Sequence, residues 1–513
     1  MKSFRTPALI AFYLVAFLAL EGHAAQTTHS VKVTGGEIIG TQSDSLNIYL
    51  GIPFAAPPIG NLRWREPQPV VPWNGIKETK RYASACAQTA EWITHPKSED
   101  CLYLNIWAPE KAKKLPVMVW IHGGGLYGGT AAQSGYDGAN LAKRGAVIVT
   151  LNYRLGILGF FSHPELTKES PSGTSGNQGI LDQIAALRWV QQNITRFGGD
   201  PERVTIMGNS SGGESVAILV ASPLAKGLFQ RAIAESGNDA MPINTEDNNR
   251  FDLKSAAEVK GLKFATALGA KNLDTLRKMS LENLQKPGWT PRTFVDGYLL
   301  HNDMTSIYRH RDQNDVPLLV GWTAEEGKDL APEYLGEGDF TAIKYRELVT
   351  TLLGHTPSDR LLAAYPGTTD AQAKASINQL TNDWWGWRMV RWAEIQAKYG
   401  HAKPYVYFFS HRPAEPLTTC FYGCGVGHGV EIQYVFHNIN QDSRPWTTAD
   451  RQLADRLADT WINFARTGTP NGKGLPIWPI FNGSLPTILR IGDEAELKLH
   501  PLPDFSIFPP LAD

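Results

Sequence analysis

A short apolar run that enters a Gly-x-Ser-x-Gly turn constrains the fold of this chain more than any other feature. The run 204–207 leads directly into Gly-Asn-Ser-Ser-Gly at 208–212, and a second apolar run covers 216–220. A strand, a sharp turn and a helix in this order are typical of an α/β sheet whose turn carries a nucleophilic serine. The two glycines bracket Ser210, whereas Ser211 would require glycine at position 209. The sequence therefore predicts Ser210 as a nucleophile, although a bare match of this kind is more often an ordinary turn.

Apolar runs elsewhere in the chain predict a mainly parallel sheet. Segments 117–121 and 147–151 are almost wholly apolar, as in strands that are buried on both faces. Apolar residues at 180, 184, 187, 190 and 194 recur every three or four positions, which indicates an amphipathic helix. Further strands are predicted at 318–320 and 405–409, and a late helix is predicted around 453–464. Together these elements predict an α/β fold, an open doubly wound sheet with helices on both faces.

The predicted domain organisation is a signal peptide followed by one domain. Basic residues at 2 and 5, an apolar stretch at 8–20 and small residues before position 25 predict a cleaved segment of 1–24. An exported protein, periplasmic or secreted, is therefore expected. Residues 25–513 are expected to form one domain, with helix-rich insertions at 238–317 and 338–403 as a lid over the active site.

Charge and hydropathy limit the partners of the chain. The formal net charge of −1 offers no electrostatic attraction for nucleic acid or an anionic membrane. No apolar segment after the N-terminus has the roughly 20 residues that a membrane-spanning helix needs. The expected partner is a small-molecule substrate, and the oligomeric state stays open.

Four cysteines in an exported chain predict two disulfide bonds. Of the three possible pairings, Cys86 with Cys101 and Cys420 with Cys424 is preferred. A metal site at Cys420, Cys424 and His428 is an alternative, because these residues are four positions apart. Glycine at 423, 425, 427 and 429 disfavours the helix that such a site requires, so no metal is expected.

A serine nucleophile needs a base and an orienting acid, which should follow it in the order acid, then histidine. The predicted strand 316–321 leads to Glu325 and Glu326, and His428 lies later in the glycine-rich loop 423–429. The order Ser210, Glu326, His428 satisfies this requirement. A solvated acid pair and a surface histidine are the alternative interpretations of the same residues.

An oxyanion hole is predicted where His122 and three glycines follow the strand 117–121. Glycines allow the backbone to approach a substrate and direct its N–H groups toward a developing negative charge. Gly124, Gly125 and the amide of Ser211 are the candidate donors. His122 is expected to form structural hydrogen bonds, and a flexible loop without a ligand is the alternative.

The chain resembles the type-B carboxylesterases, an α/β-hydrolase family that includes para-nitrobenzyl esterases, bile-salt lipases and cholinesterases. Similar motifs extend from about position 31 to 505 and lie at 49–55, 57–58, 62–64, 98–105, 152–156, 176–179, 182–183, 197–201 and 464–468. The resemblance implies ester hydrolysis by a Ser210–His428–Glu326 triad, without metal or cofactor. It also implies the oxyanion donors Gly124, Gly125 and Ser211, and a disulfide between Cys86 and Cys101.

Three departures from the family pattern affect the expected specificity. The family turn usually reads Gly-Glu-Ser-Ala-Gly-Gly, whereas this chain has Asn209 and Ser211. Loss of the glutamate weakens the case for choline esters, and Ser211 keeps its backbone donor. The pair Cys420 and Cys424 is unlike the second disulfide of the family, and if oxidised it would brace the loop of His428.

The substrate pocket is expected to be apolar. Candidate pocket residues are Leu126, Tyr127, Trp384, Trp385 and Trp387, although each tryptophan could equally belong to a helix core. Large aromatic side chains would pack an apolar or aromatic group of an uncharged carboxylic ester. Amide or carbamate hydrolysis by the same triad, and a non-catalytic binding module, are the alternative functions.

Overall fold

The computed structural model describes residues 26–238, 252–286, 288–336, 340–415, 425–439, 443–482, 487–492 and 496–508. The predicted signal peptide and the predicted pair Cys420 and Cys424 lie outside the described residues. The strands are β1 (Gln26–Thr27), β2 (Val31–Val33), β3 (Gly36–Ile39), β4 (Thr41–Ser43), β5 (Leu46–Pro53), β6 (Ile76–Glu78), β7 (Ala85–Cys86), β8 (Lys97–Ser98), β9 (Tyr103–Pro109), β10 (Leu115–Ile121), β11 (Val147–Leu151), β12 (Gly199–Asn209), β13 (Arg231–Glu235), β14 (Asp252–Leu253), β15 (Phe294–Val295), β16 (Leu318–Thr323), β17 (Pro404–Phe409), β18 (Thr487–Gly492) and β19 (Glu496–Pro501).

The α-helices of the described residues follow the strands along most of the chain. They are α1 (Ala139–Ala142), α2 (Gly156–Phe160), α3 (Pro164–Glu169), α4 (Gln178–Asn193), α5 (Ser211–Ala221), α6 (Lys254–Ala267), α7 (Leu273–Lys278), α8 (Leu281–Gln285), α9 (Met304–His310), α10 (Glu326–Leu335), α11 (Tyr345–Leu353), α12 (Asp359–Ala364), α13 (Asp370–Tyr399), α14 (Ile432–Val435) and α15 (Thr448–Thr467). The predicted helices around 180–194, 216–220 and 453–464 correspond to α4, α5 and α15.

Twelve strands form one large sheet in the order β1-β4-β5-β9-β11-β10-β12-β13-β16-β17-β18-β19. The seven neighbouring strands from β11 to β18 are parallel to one another. The strands at both ends of the sheet pair antiparallel. The predicted mostly parallel sheet is therefore confirmed, and β10, β11, β12, β16 and β17 contain the five strands predicted from apolar runs.

Alternate side chains of the central strands enter two separate hydrophobic cores. On β10, Val117 and Val119 belong to the core that includes residues of α4, α5 and α13. The intervening Met118 and Trp120 belong to the core that includes residues of α14 and α15. Because successive strand residues point to opposite faces, helices cover both faces of the sheet, as the sequence predicts.

The order of the parallel strands sets the position of the candidate site. The carboxyl ends of β12, β13 and β16 are adjacent, since β13 pairs with both neighbours. Helices α6–α9 lie in the chain between β13 and β16, and α10–α13 lie between β16 and β17. In open α/β sheets a ligand binds at the carboxyl ends of the strands, where residues after β12, β16 and β17 come together.

Candidate active site

Ser210 lies at the sharp turn between β12 and α5. Its φ of 58° and ψ of −131° place a non-glycine residue in a sparsely populated backbone region. Its amide donates to the carbonyl oxygen of Glu235 at 2.9 Å, which ties the turn to the end of β13. Strain of this kind persists where the surroundings determine the backbone, and it is typical of a nucleophile turn.

Close backbone contacts explain the glycines around this turn. A Cβ atom on Gly212 would lie 2.1 Å from the carbonyl oxygen of Ile121, so α5 crosses directly over the end of β10. A Cβ atom on Gly237 would lie 1.9 Å from the carbonyl oxygen of Ser210. Both contacts are to backbone, which cannot move aside as a side chain can. The turn is therefore held from two sides by neighbouring strand ends.

Glu326 and His428 form a short hydrogen bond near this turn. Glu326 Oε2 lies 2.6 Å from Nδ1 of His428. The other carboxylate oxygen of Glu326 accepts hydrogen bonds from Ser236 Oγ at 2.5 Å and from the amide of Thr323 at 2.8 Å. The carboxylate is fully buried, and these three contacts fix its orientation toward the imidazole. The structure thus brings together the acid and the histidine that the sequence predicts.

The neighbouring Glu325 has a different environment. Its carboxylate pairs with Arg412 and accepts the amide of Val426 at 2.9 Å. Although partial burial opposes it, this hydrogen bond and the bonds and charge of Arg412 lower the pKa of Glu325. Glu325 therefore holds the histidine loop from outside, and of these two glutamates Glu326 is the one that contacts the imidazole.

Sequence reasoning missed several polar residues that support the pair. Ser236 follows β13 and donates to Glu326, and Asp329 Oδ2 accepts the backbone amide of His428 at 2.8 Å. Asp329 lies one turn after Glu326 in α10, so one helix turn holds both the ring and the backbone of the histidine. The spacing Glu-x-x-Asp was the available signal, but it is too common to identify a site without a fold.

Two further buried carboxyl groups lie behind the pair. Tyr407 Oη donates to Glu431 at 3.2 Å, and Trp461 Nε1 donates to Glu235 at 2.9 Å. Burial, and then repulsion from the charge of Glu326, raise the pKa of Glu431 to about 7. Burial and repulsion from Glu431 raise the pKa of Glu235 well above its usual value. Burial therefore favours the protonated form of both Glu431 and Glu235 behind the Glu326–His428 pair.

The glycine loop after β10 lies against the Ser210 turn. A Cβ atom on Gly123 would be 2.6 Å from the carbonyl oxygen of Asn209 and 2.9 Å from Cβ of Ser210. Gly124 and Gly125 have φ values of 109° and 60°, which favour glycine. Ser211 is the first residue of α5, where helix amides have no partner within the helix. Ser211 therefore directly follows Ser210, and the glycine loop that carries Gly124 and Gly125 contacts the same turn through Gly123.

His122 is a structural residue of the same loop. Its Nδ1 lies 2.8 Å from the carbonyl oxygen of Gly123, and its ring stacks on Tyr153 with centroids 4.5 Å apart. Complete burial lowers the pKa of His122 to about 4, so the imidazole is neutral at physiological pH. This environment agrees with the predicted structural role.

The candidate pocket residues do not all lie at the same place. Trp385 is on α13 with its ring centroid 5.9 Å from that of His428. Trp384 packs against Trp385, whereas Trp387 stacks on Phe508 at 5.3 Å near the C-terminus. Of the three tryptophans, Trp385 contacts the candidate site directly, and Trp387 packs in the core beside the C-terminal segment.

The other two pocket candidates follow the glycine loop. Leu126 is buried and has a φ of 61°, and the half-buried Tyr127 packs edge-on against Trp92 at 5.7 Å. Trp92 lies in the loop closed by a disulfide between Cys86 and Cys101, whose Cα atoms are 4.9 Å apart. The predicted pairing of these two cysteines is confirmed.

Neither a metal site nor a membrane helix is found in the part of the chain that the structure describes. No group of three or more His, Cys, Asp or Glu side chains is arranged there to hold a metal ion. Among the helices of the same ranges, none has both the length and the apolar character needed to cross a bilayer.

The comparison with family models decides the identity of this site. Residues 27–503 match the model described as the carboxylesterase family. The chain belongs to the carboxylesterase family. It is therefore a carboxylic ester hydrolase, and the resemblance seen in its motifs is confirmed.

Individual carboxylesterases match along most of their length. The chain is 35% identical to fumonisin B1 esterase of Sphingopyxis macrogoltabida, with 89% of this chain and 86% of the relative covered. It is 34% identical to para-nitrobenzyl esterase of Bacillus subtilis, covering 92% and 97% respectively. A solved structure titled PNB esterase superposes with a TM-score of 0.80 at 31% identity, covering 93% of this chain and 99% of that one.

Proposed function

We propose that this carboxylesterase hydrolyses uncharged carboxylic esters through an acyl-enzyme, with Ser210 as nucleophile, His428 as general base and Glu326 as the orienting acid. The observation that carries the proposal is the 2.6 Å contact between Glu326 and Nδ1 of His428. This contact lies at the sheet edge where the strained turn places Ser210. A carboxylate on Nδ1 leaves Nε2 as the ring nitrogen that accepts a proton.

The reaction follows from these positions. His428 Nε2 accepts the proton of Ser210 Oγ as that oxygen attacks the ester carbonyl, and Glu326 stabilises the imidazolium that forms. The tetrahedral intermediate collapses when His428 returns the proton to the leaving alcohol. Water then attacks the acyl-enzyme in the same way and releases the carboxylic acid.

The amides of Gly124, Gly125 and Ser211 are the proposed donors to the oxyanion. Their support is the contact of the glycine loop with the Ser210 turn and the position of Ser211 at the start of α5. Amides fixed before the reaction need not reorganise when the carbonyl oxygen becomes negative. The same charge benefits from the N-terminal end of the α5 dipole.

The proposed substrates are esters with an apolar or aromatic part. Trp385 beside His428, and Leu126 and Tyr127 after the glycine loop, support an apolar wall. Relatives of this chain are named as a fumonisin B1 esterase, a para-nitrobenzyl esterase and a pyrethroid hydrolase. These named substrates differ widely, so a panel that varies both acyl and alcohol groups is needed to define the preference.

Export to the periplasm or the outside of the cell is part of the proposal. Its support is the apolar N-terminal segment with a small-residue cleavage site, together with the disulfide between Cys86 and Cys101. Disulfides of this kind persist in oxidising compartments. The N-terminal sequence of the protein recovered outside the cytoplasm should begin after Ala24.

The decisive experiment compares wild type with Ser210→Ala on p-nitrophenyl esters of increasing acyl length. Wild type should turn over, and the variant should lose on the order of 10⁶ in kcat, as serine hydrolases do without their nucleophile. Ser222→Ala is the matched control, because within the described part of the chain its buried hydroxyl bonds the backbone of Leu299 and Leu224, away from the proposed triad. An anilide and a carbamate in the panel test the alternative hydrolase activities. A folded wild type that is inert on every ester would overturn the proposal in favour of a binding module.

A further inference from the structure

The side chain of Ser211 makes a hydrogen bond that the proposed reaction does not use. Its Oγ accepts the backbone amide of Leu126 at 3.2 Å, in a buried contact between α5 and the residue that follows the glycine loop. The oxyanion role of Ser211 requires only its backbone amide. The hydroxyl therefore joins the helix to the loop independently of that role.

A second hydrogen bond holds the other end of the loop and comes from Tyr153, which is also fully buried. Tyr153 Oη donates to the carbonyl oxygen of His122 at 2.8 Å, and the two rings stack with centroids 4.5 Å apart. The two hydroxyl groups therefore hold different residues: Ser211 holds the amide of Leu126, and Tyr153 holds the carbonyl oxygen of His122.

These two hydrogen bonds lie at the two ends of the glycine loop. His122 directly precedes the three glycines, and Leu126 directly follows them. The loop includes consecutive left-handed residues, with φ values of 109° at Gly124, 60° at Gly125 and 61° at Leu126. Glycines provide no side chain that packing could hold. The orientation of their amides thus depends on how firmly the flanking residues are held.

We propose that the hydroxyl of Ser211, together with Tyr153, is a positioning element that clamps both ends of the glycine loop and so orients the oxyanion donors. The proposal rests on the proposed function, because it assigns these amides to the oxyanion. It adds a role for two side chains that the proposed reaction steps do not use. The loop end at Leu126 is held from the other side by the amide of Gly156, which donates to its carbonyl oxygen at 2.8 Å.

The test compares Ser211→Ala, Tyr153→Phe and the double variant in the full-length enzyme. The probes are a p-nitrophenyl ester and an alkyl trifluoromethyl ketone. Ser210 Oγ forms a bond to the carbonyl carbon of the ketone, and the carbonyl electron pair moves onto oxygen. The proton of Ser210 passes to His428. Each single variant should lower kcat by about 10-fold, less than the ~10²–10³ lost with a donor itself. The affinity for the ketone should fall by a similar factor, with little change in the KM for the ester.

The double variant should lose more than either single variant, because each substitution releases a different end of the loop. Hydrogen exchange of the 123–127 amides should accelerate in all three variants, and this readout does not require activity. An inactive wild type would overturn the proposed function, and the exchange data would still test the clamp. Unchanged exchange and ketone affinity in Ser211→Ala, or a double variant no worse than Ser211→Ala alone, would overturn the clamp.

Ser215→Ala is the matched control for these variants. Ser215 is on the same helix one turn later and equally buried, and its Oγ donates to the carbonyl oxygen of Ser211 and accepts from Gln183. Neither of these hydrogen bonds involves the glycine loop. The control should lower the thermal midpoint as Ser211→Ala does, while kcat and ketone affinity stay at wild-type values.

Discussion

The Ser210 turn and the His428 loop lie at the same edge of the sheet but are held in different ways. The turn is held by backbone, with Gly212 and Gly237 each packed against a neighbouring carbonyl oxygen. The loop is held by side-chain carboxylates of Glu326 and Asp329, which contact the ring and the amide of the histidine. A substitution that crowds a backbone contact must displace the backbone itself. A carboxylate contact is instead weakened when the charge of the side chain is removed.

The difference predicts that activity depends most strongly on the charge of Glu326, the carboxylate that contacts the imidazole ring. Glu326→Gln keeps the size of the side chain but removes the charge that orients and stabilises the imidazolium. We expect kcat to fall about 10⁴-fold, as it does when a serine protease loses the charge of its triad acid. Steady-state kinetics on a p-nitrophenyl ester, with circular dichroism to verify folding, measure the effect.

Glu325→Gln is the matched control, since it is the same substitution one residue earlier. Glu325 bonds Arg412 and the amide of Val426 instead of the imidazole. Partly exposed ion pairs of this kind contribute ~0–1 kcal/mol, so kcat should stay within about fivefold of wild type. Equal losses in the two variants would mean that the acid had been assigned to the wrong glutamate.

The backbone contacts predict a different response at the serine turn. A Cβ atom on Gly237 would lie 1.9 Å from the carbonyl oxygen and 2.7 Å from the carbonyl carbon of Ser210. Gly237→Ala should therefore displace the turn, destabilise the protein by about 1–3 kcal/mol and lower kcat. Urea denaturation and single-turnover kinetics measure the two effects.

Gly227→Ala separates steric contact from backbone strain. Gly227 has a φ of 77° and no atom within 4 Å of an added Cβ, so alanine there costs only the backbone penalty, about 1 kcal/mol. Its kcat should equal that of wild type. If Gly237→Ala also keeps the kcat of wild type and loses only about 1 kcal/mol of stability, the close contact between Gly237 and Ser210 is not what holds the serine turn.

Local patterns in the sequence predict the parts of the site that are built locally. The apolar runs predict β10 and β12 because full burial is visible residue by residue. The bracketing glycines predict the Ser210 turn because the steric requirement falls within five residues. Glu326 and His428 were predicted from their order along the chain, since the carboxyl ends of parallel strands meet at one edge.

Other features depend on contacts between distant segments and could not be predicted in this way. Ser236 supports Glu326 only because β13 lies between β12 and β16. Trp385 and Trp387 are two residues apart, yet one ring packs beside His428 and the other beside Phe508. On α13, two positions differ by about 200° around the helix axis, and only the tertiary packing determines which face meets the site.

A pair of buried carboxyl groups lies where the serine turn and the histidine loop meet, and their titration makes the stability of the protein depend on pH. Glu235 ends β13 beside the serine turn, and Glu431 follows the histidine loop. Burial, and then repulsion from Glu326, raise the pKa of Glu431 from 4.5 to about 7. In this range the folded protein binds more protons than the unfolded chain, so the free energy of unfolding should decrease as pH rises from 4.5 to about 7.

Glu431→Gln should remove this contribution and flatten the profile. One such group contributes a slope of at most ~1.4 kcal/mol per pH unit, and urea denaturation across this range measures the difference between variant and wild type. Glu235 titrates in the same direction, and the variant removes only the part of its pKa shift that repulsion from Glu431 causes. A variant that keeps the wild-type slope would show that Glu431 is ionised in the folded enzyme. The histidine loop would then lie beside two negative charges, and its sensitivity to charge could no longer be assigned to Glu326 alone.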